Sequence, residues 1–173
     1  MNTAVFMDID GVLNPWGDDD QARTHYSDFE LVSQVDSDLR ENQVWVSKAL
    51  GEAIYDWPIV WATTWCLYPE QLAQYTVPYN LVGSPSVDSS LFDNHLVLVG
   101  YSLKKTAVQR YIEENADELE VAIWIDDDLS DEDRMWFQSF CYDNEIDGHC
   151  ITPDCDTGLD RPEVLKVNQI LGL

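Results

Sequence analysis

Asp8 and Asp10 stand two residues apart in "MDIDGVLN" (7–14), just after the apolar Ala4-Val5-Phe6 and just before the turn-former Gly11. Two carboxylates this close repel, and each raises the other's pKa unless a cation lies between them. Three more aspartates, Asp126, Asp127 and Asp128, follow a second apolar run, "VAIWI" (121–125). Thr63 and Thr64 end a third, "PIVWATT" (58–64), and Lys104 and Lys105 lie in "SLKKTAVQRY" near the start of a helical pattern. Converging carboxylates suit a hard divalent ion. Magnesium takes a few such oxygens, keeps waters and leaves room for a substrate phosphate. A lysine presents a point charge to phosphate, and threonine hydroxyls add donors. Each cluster alone has an ordinary reading as a solvated turn, an exposed lysine pair or a strand threonine. Together they point to phosphate chemistry, provided one fold gathers them.

The elements that could gather them are legible. The three apolar runs are continuous rather than alternating, as strands of a parallel sheet covered on both faces must be. Weaker strand candidates are "YNLVG" (79–83), "HLVLVG" (95–100) and "HCIT" (149–152). Between them, Val46, Leu50, Ala53, Ile54 and Trp57 share one helical face, as do Ala107, Val108, Tyr111 and Ile112. Ser130 with Asp133 reads as a cap for "DEDRMWFQSF", and Asp160, Pro162 and Glu163 open a last helix with Val164, Val167 and Leu171 as its stripe. Strand and helix alternation predicts an α/β layered fold in one domain, residues 1–173. In such sheets ligands bind beyond the carboxyl ends of the strands, where all four clusters fall. Ser102 is the expected cap of the lysine helix, which would put Lys104 and Lys105 in its first turn. The helix dipole disfavours cations there unless one faces an anion.

Residues 15–44 break the rhythm. "GDDDQARTHYSD" reads as a polar loop, and "FELVSQV" with "NQVWVS" as a β-hairpin, either a flap over the site or a decorated surface loop. Trp16, Trp65 and Tyr68 could stack a base or simply pack.

Composition bounds the rest. The chain has 173 residues, 45% of them apolar, with 7 Trp and 8 Tyr, enough for a packed core. No run is long enough for a membrane span and no basic-then-apolar leader opens it, so the expected compartment is the cytoplasm. Cys66, Cys141, Cys150 and Cys155 are expected as reduced thiols, and their spacing with His149 suits a zinc site poorly. The net charge of −24 argues against long nucleic acids, whose binding rests on basic residues. It fits a solubilised surface, a salt-rich cell, a basic protein partner or a DNA mimic.

The ordered set "MDIDGVLN", "VWATT", "SLKKTAVQRY" and "VAIWIDDD" resembles the four motifs of the haloacid dehalogenase (HAD) superfamily of aspartate-nucleophile phosphatases. The pattern "DIDGVLNP … WATTW … K … WIDD … TGL" is further similar to a small bacterial and phage-type subgroup without a large cap domain. The resemblance covers residues 3 to about 171. It implies a three-layer α/β/α Rossmann-like fold with a parallel central sheet and a minimal cap, the 15–44 segment being its only candidate cover. It implies Asp8 as nucleophile, Asp10 as general acid and base, Thr63 as a phosphoryl donor, and Lys104 as the phosphate lysine with Lys105 open as its alternative. Thr64 and Asn14 would assist substrate binding. Magnesium would be held by the Asp8 side chain, the Asp10 backbone carbonyl, Asp126 and Asp127. The expected activity is hydrolysis of a phosphomonoester, a small metabolite or a nucleotide. Dehalogenation would need neither Asp10 nor the fourth cluster. The alternative is an acidic, non-enzymatic binding protein on the same scaffold.

Overall fold

The computed structural model describes residues 2–35, 41–67, 72, 74–75 and 101–173. Its centre is β1 (Thr3–Met7), which pairs in parallel with β4 (Ile59–Trp61) on one side and β5 (Val121–Ile125) on the other. β6 (Asp147–Ile151) adds to the outer edge of β5, giving the parallel order β4-β1-β5-β6. Val5, Phe6 and Met7, and Ile123, Trp124 and Ile125, are wholly buried, as strands covered on both faces should be. Helices flank this sheet, giving the three-layer α/β/α arrangement with a parallel centre that the motifs implied.

The covering helices are α2 (Lys48–Ala53), α3 (Tyr101–Asn115), α4 (Asp131–Asp143) and α5 (Arg161–Leu171). Phe6 meets Tyr111 of α3 edge-on at 5.3 Å and Phe137 of α4 at 6.5 Å, and Trp124 meets Phe137 at 5.5 Å. Phe6 and Trp124 are partners in the β1–β5 register, so one sheet face seats both helices. Trp57 Nε1–H donates to Asn168 Oδ1 at 2.6 Å, tying the chain after α2 to α5. Helix starts follow their capping chemistry. Ser130 Oγ accepts from Asp133 N–H, and Asp160 and Glu163 form a reciprocal capping box. Ser102 does not cap α3, because the helix already includes Tyr101, so Lys104 lies deeper in the helix than a cap at 102 would put it.

The 15–44 segment is more ordered than a polar loop. Asp18 caps a short helix, α1 (Asp19–Ala22), and the backbone then buries Ala22, Tyr26 and Phe29. One turn of helix is too short to leave a periodic signal. The expected hairpin is present as β2 (Glu30–Val35) paired antiparallel with β3 (Glu41–Val46). Val44 and Val46 join the core, and Asp28 accepts from the Ser47 hydroxyl and the Ala49 N–H, anchoring the hairpin base to α2. The strand candidates at 79–83 and 95–100, and Tyr68, lie outside the described residues. Among the described residues no helix is long and apolar enough to cross a membrane.

Candidate active site

The parallel ladder carries Asp8 and Asp126 to the same rim. Asp8 N–H donates to Ile125 O at 3.0 Å and Asp126 N–H to Ile151 O at 3.2 Å, so each aspartate directly follows its strand. Ala62 N–H donates to Met7 O at 2.9 Å, which brings Thr63 alongside. Asp8, Asp126 and Thr63 are buried. Lys104 reaches down from α3 into this group. Its ammonium pairs with Asp8 Oδ2 and, at 2.9 Å, with Asp126 Oδ2. Carboxylate oxygens of Asp8, Asp126 and Asp127 lie within 4.8 Å of one another.

Among the described residues this group is short of positive charge. Burial opposes the Lys104 ammonium, but Asp8 and Asp126 outweigh it and hold its pKa above that of a free lysine. The ammonium is therefore fully charged. Burial pushes Asp8 up to about 6, against the pull of Lys104, with Asp126 adding to the rise. Burial and then the Asp8 charge push Asp127 up to about 6, and burial likewise raises Asp126. When all three carboxylates ionise, one lysine leaves two negative charges uncompensated. An all-oxygen donor set with that deficit fits a hard divalent cation.

Gly11 lets this cluster close. Its φ of +72° is a conformation that L side chains rarely adopt, and a Cβ there would lie 2.4 Å from Asp127 Cγ. The turn it belongs to is held by Leu13 and Asn14 N–H groups donating to Ile9 O at 2.8 and 2.9 Å.

Asp10 faces differently. Its Oδ1 accepts from Asn14 Nδ2 and its Oδ2 from Trp65 Nε1, each at 2.8 Å. Its carboxylate is thus aimed by two neutral donors, outside the three-aspartate cluster. Asn14 is committed on both sides, because its Oδ1 also accepts from Trp45 N–H of β3 at 2.8 Å. The residue expected to assist substrate binding thus joins the hairpin to Asp10. Trp65 also packs against Tyr75 at 5.2 Å with the rings tilted by 48°, so its half-buried indole both holds Asp10 and is partly covered.

The remaining expected residues separate. Lys105 points away: its ammonium lies 3.6 Å from Asp133 and 4.4 Å from the Trp136 ring centroid on α4. Adjacent helical residues differ by about 100° in direction, so only one lysine of the pair can face the cluster. Thr64 is exposed and stands on the wall of a cleft of about 490 Å³ that also includes Asp8, Asp10, Lys104 and Asp127. Trp16, Asp128 and Cys155 complete that wall. Asp128 belongs to the aspartate run already singled out, whereas Cys155 was expected only as a reduced thiol, because a loop's contribution to a wall depends on the backbone path. Here Leu159 N–H donates to Val12 O at 2.8 Å, and Gly158, with φ +68°, leaves 2.6 Å between that oxygen and a would-be Cβ. The "TGL" glycine serves this close packing.

No curated protein and no solved structure matches the chain significantly. A family comparison does match, over residues 4–164, which takes in all four motifs and the rim they build. The chain belongs to the HAD superfamily, to the family described as the HAD domain in Swiss Army Knife RNA repair proteins, and with it to proteins of hydrolase-type function.

Proposed function

We propose that this chain is a magnesium-dependent phosphomonoester hydrolase working through an aspartyl-phosphate. The observation that carries the reading is the Lys104 ammonium shared by Asp8 and Asp126, with Lys104, Asp8 and Asp127 in the wall of one cleft. An Asp8 carboxylate oxygen attacks phosphorus, and the bond to the leaving oxygen breaks as Asp10 donates its proton to it. Asp10 then takes a proton from the water that attacks the phosphorylated Asp8, releasing inorganic phosphate and restoring the carboxylate. Lys104 offsets charge on nucleophile and phosphoryl group, while Thr63 and Thr64 supply donors. Asp8, Asp126 and Asp127, with the Asp10 carbonyl, would hold the magnesium. Bound there, it would screen the like charges and draw charge from the phosphoryl oxygens.

The substrate class is a phosphate at the end of a small molecule or of an RNA. The family description supports the second, and a terminal phosphate asks only the last nucleotide to enter the acidic molecule's cleft. The test is phosphate release from a panel of metabolites, nucleotides and 3′- or 5′-phosphorylated RNA, with magnesium, for wild type and Asp8→Asn. Turnover by wild type and its loss in the variant are expected. Absence of turnover across the panel, or full activity in Asp8→Asn, overturns the reading.

A further inference from the structure

We propose that Trp16 is the stacking platform by which this cleft selects a phosphate carried next to a nucleobase. The inference rests on the phosphatase reading and adds what sits at the other end of the substrate. Trp16 differs from the other indoles: of the seven tryptophans it alone is exposed, at 63%. Among the described residues of the 15–44 segment it is also the only one on the cleft wall. A large apolar side chain left in water beside a reaction centre gains by being covered.

Its backbone is pinned. Trp16 N–H donates to Cys155 O at 2.8 Å and Gly17 N–H to Asp156 O at 3.1 Å. The chains approach so closely that a Cβ on Gly17 would lie 2.3 Å from Asp156 O. The indole is thus mounted on a fixed wall, where stacking orders only its own side-chain torsions. The other candidate, Trp65, is already committed to Asp10 and Tyr75.

One cleft of about 490 Å³ therefore has Lys104 and Asp8 in its wall together with an open aromatic face. That volume lies within the roughly 300–1,000 Å³ of small-ligand sites. A nucleoside monophosphate presents a phosphate at one end and a flat π-system at the other. A polyol phosphate has no face to offer the indole. A quaternary ammonium would call for several aromatics around it, whereas the described wall has one.

The experiment compares kcat/KM for a nucleoside monophosphate with that for glycerol phosphate and phosphocholine, in wild type, Trp16→Ala and Trp16→Phe. The nucleotide preference should fall roughly tenfold in Trp16→Ala, mostly through KM, and be largely retained in Trp16→Phe. A short RNA ending in the same nucleotide phosphate separates the two sources: the larger Trp16 effect marks whether an RNA end or a free nucleotide is bound. An unchanged preference in Trp16→Ala with a native circular dichroism spectrum, or a preference for phosphocholine, overturns the inference and leaves the phosphatase reading intact. Should wild type hydrolyse nothing, the phosphatase reading falls. Calorimetric binding of the nucleotide that weakens in Trp16→Ala then upholds the platform, and binding indifferent to Trp16, or none, removes it.

Discussion

Lys104 is the residue on which the charge balance of the site turns. Two buried carboxylates share its ammonium, so truncating it strands both. Lys104→Met should cost about 3–5 kcal/mol in urea denaturation without metal, the cost of breaking a buried pair from one side. It should also lower turnover by roughly 100-fold or more, as losing a charge aimed at the reacting oxygens does. Gly11→Ala should act on the same cluster from the opposite side. The positive φ is strained for alanine by about 1–3 kcal/mol. The new methyl would also displace Asp127, so magnesium affinity measured by calorimetry should drop more than stability does. The acids, Thr63 and the lysine pair were legible because their types and spacing are chemical statements. Which lysine faces inward was not, since that depends on how α3 is rotated against β1 and β5. Nor was the committed state of Asn14, whose partner Trp45 is thirty-one residues away in sequence.

At the level of elements, the Asn14 amide links the hairpin to Asp10. Asn14 takes Trp45 N–H on one side and holds Asp10 on the other, while Tyr75 OH donates to Trp45 O at 3.1 Å. Asn14→Ala removes that acceptor from a partly buried strand N–H, which should cost about 1 kcal/mol. Hydrogen exchange at the Trp45 amide should quicken, and turnover should fall about tenfold as Asp10 loses one of its two donors. The strands β1 and β5 were readable from uninterrupted apolar runs, and the α4 and α5 starts from their caps. Helix α1 was hidden because four residues carry no period. The start of α3 was misplaced because a serine near a helix start resembles a cap whether or not its backbone is extended.

For the whole molecule, the acid excess and the raised carboxylates set how it responds to solution conditions. Without metal, Asp8 and Asp127 titrate near 6 when folded, against an ordinary 3.8. The folded chain thus holds more protons than the unfolded one between those values, so metal-free stability falls as pH rises through the window. Magnesium competes with those protons. The melting-temperature rise on adding magnesium should therefore be larger at about pH 7.5 than at about pH 5, as scanning fluorimetry would show. The net charge of −24 should invert the usual salt response towards RNA. A basic nucleic-acid binder loses affinity with salt. Here screening relieves repulsion, so kcat/KM on a phosphorylated RNA end should rise severalfold between about 20 and 200 mM salt. A falling slope would point to a local basic track that overcomes the global field. The charge was read directly from the sequence. Its consequence for the site was not, because that depends on which carboxylates are buried together.

The strand that delivers Asp8 has hydrogen-bonded neighbours on both sides and no edge of its own. Amide exchange at Met7 and Asp8 should then require the global opening that releases the whole sheet, while the two-stranded hairpin can breathe on a faster clock. Asp8, the proposed nucleophile, is thus mounted on the part of the protein expected to open last. Heat inactivation and loss of fold should coincide in one transition, with no earlier stage at which the chain stays folded and its reactive carboxylate drifts out of place.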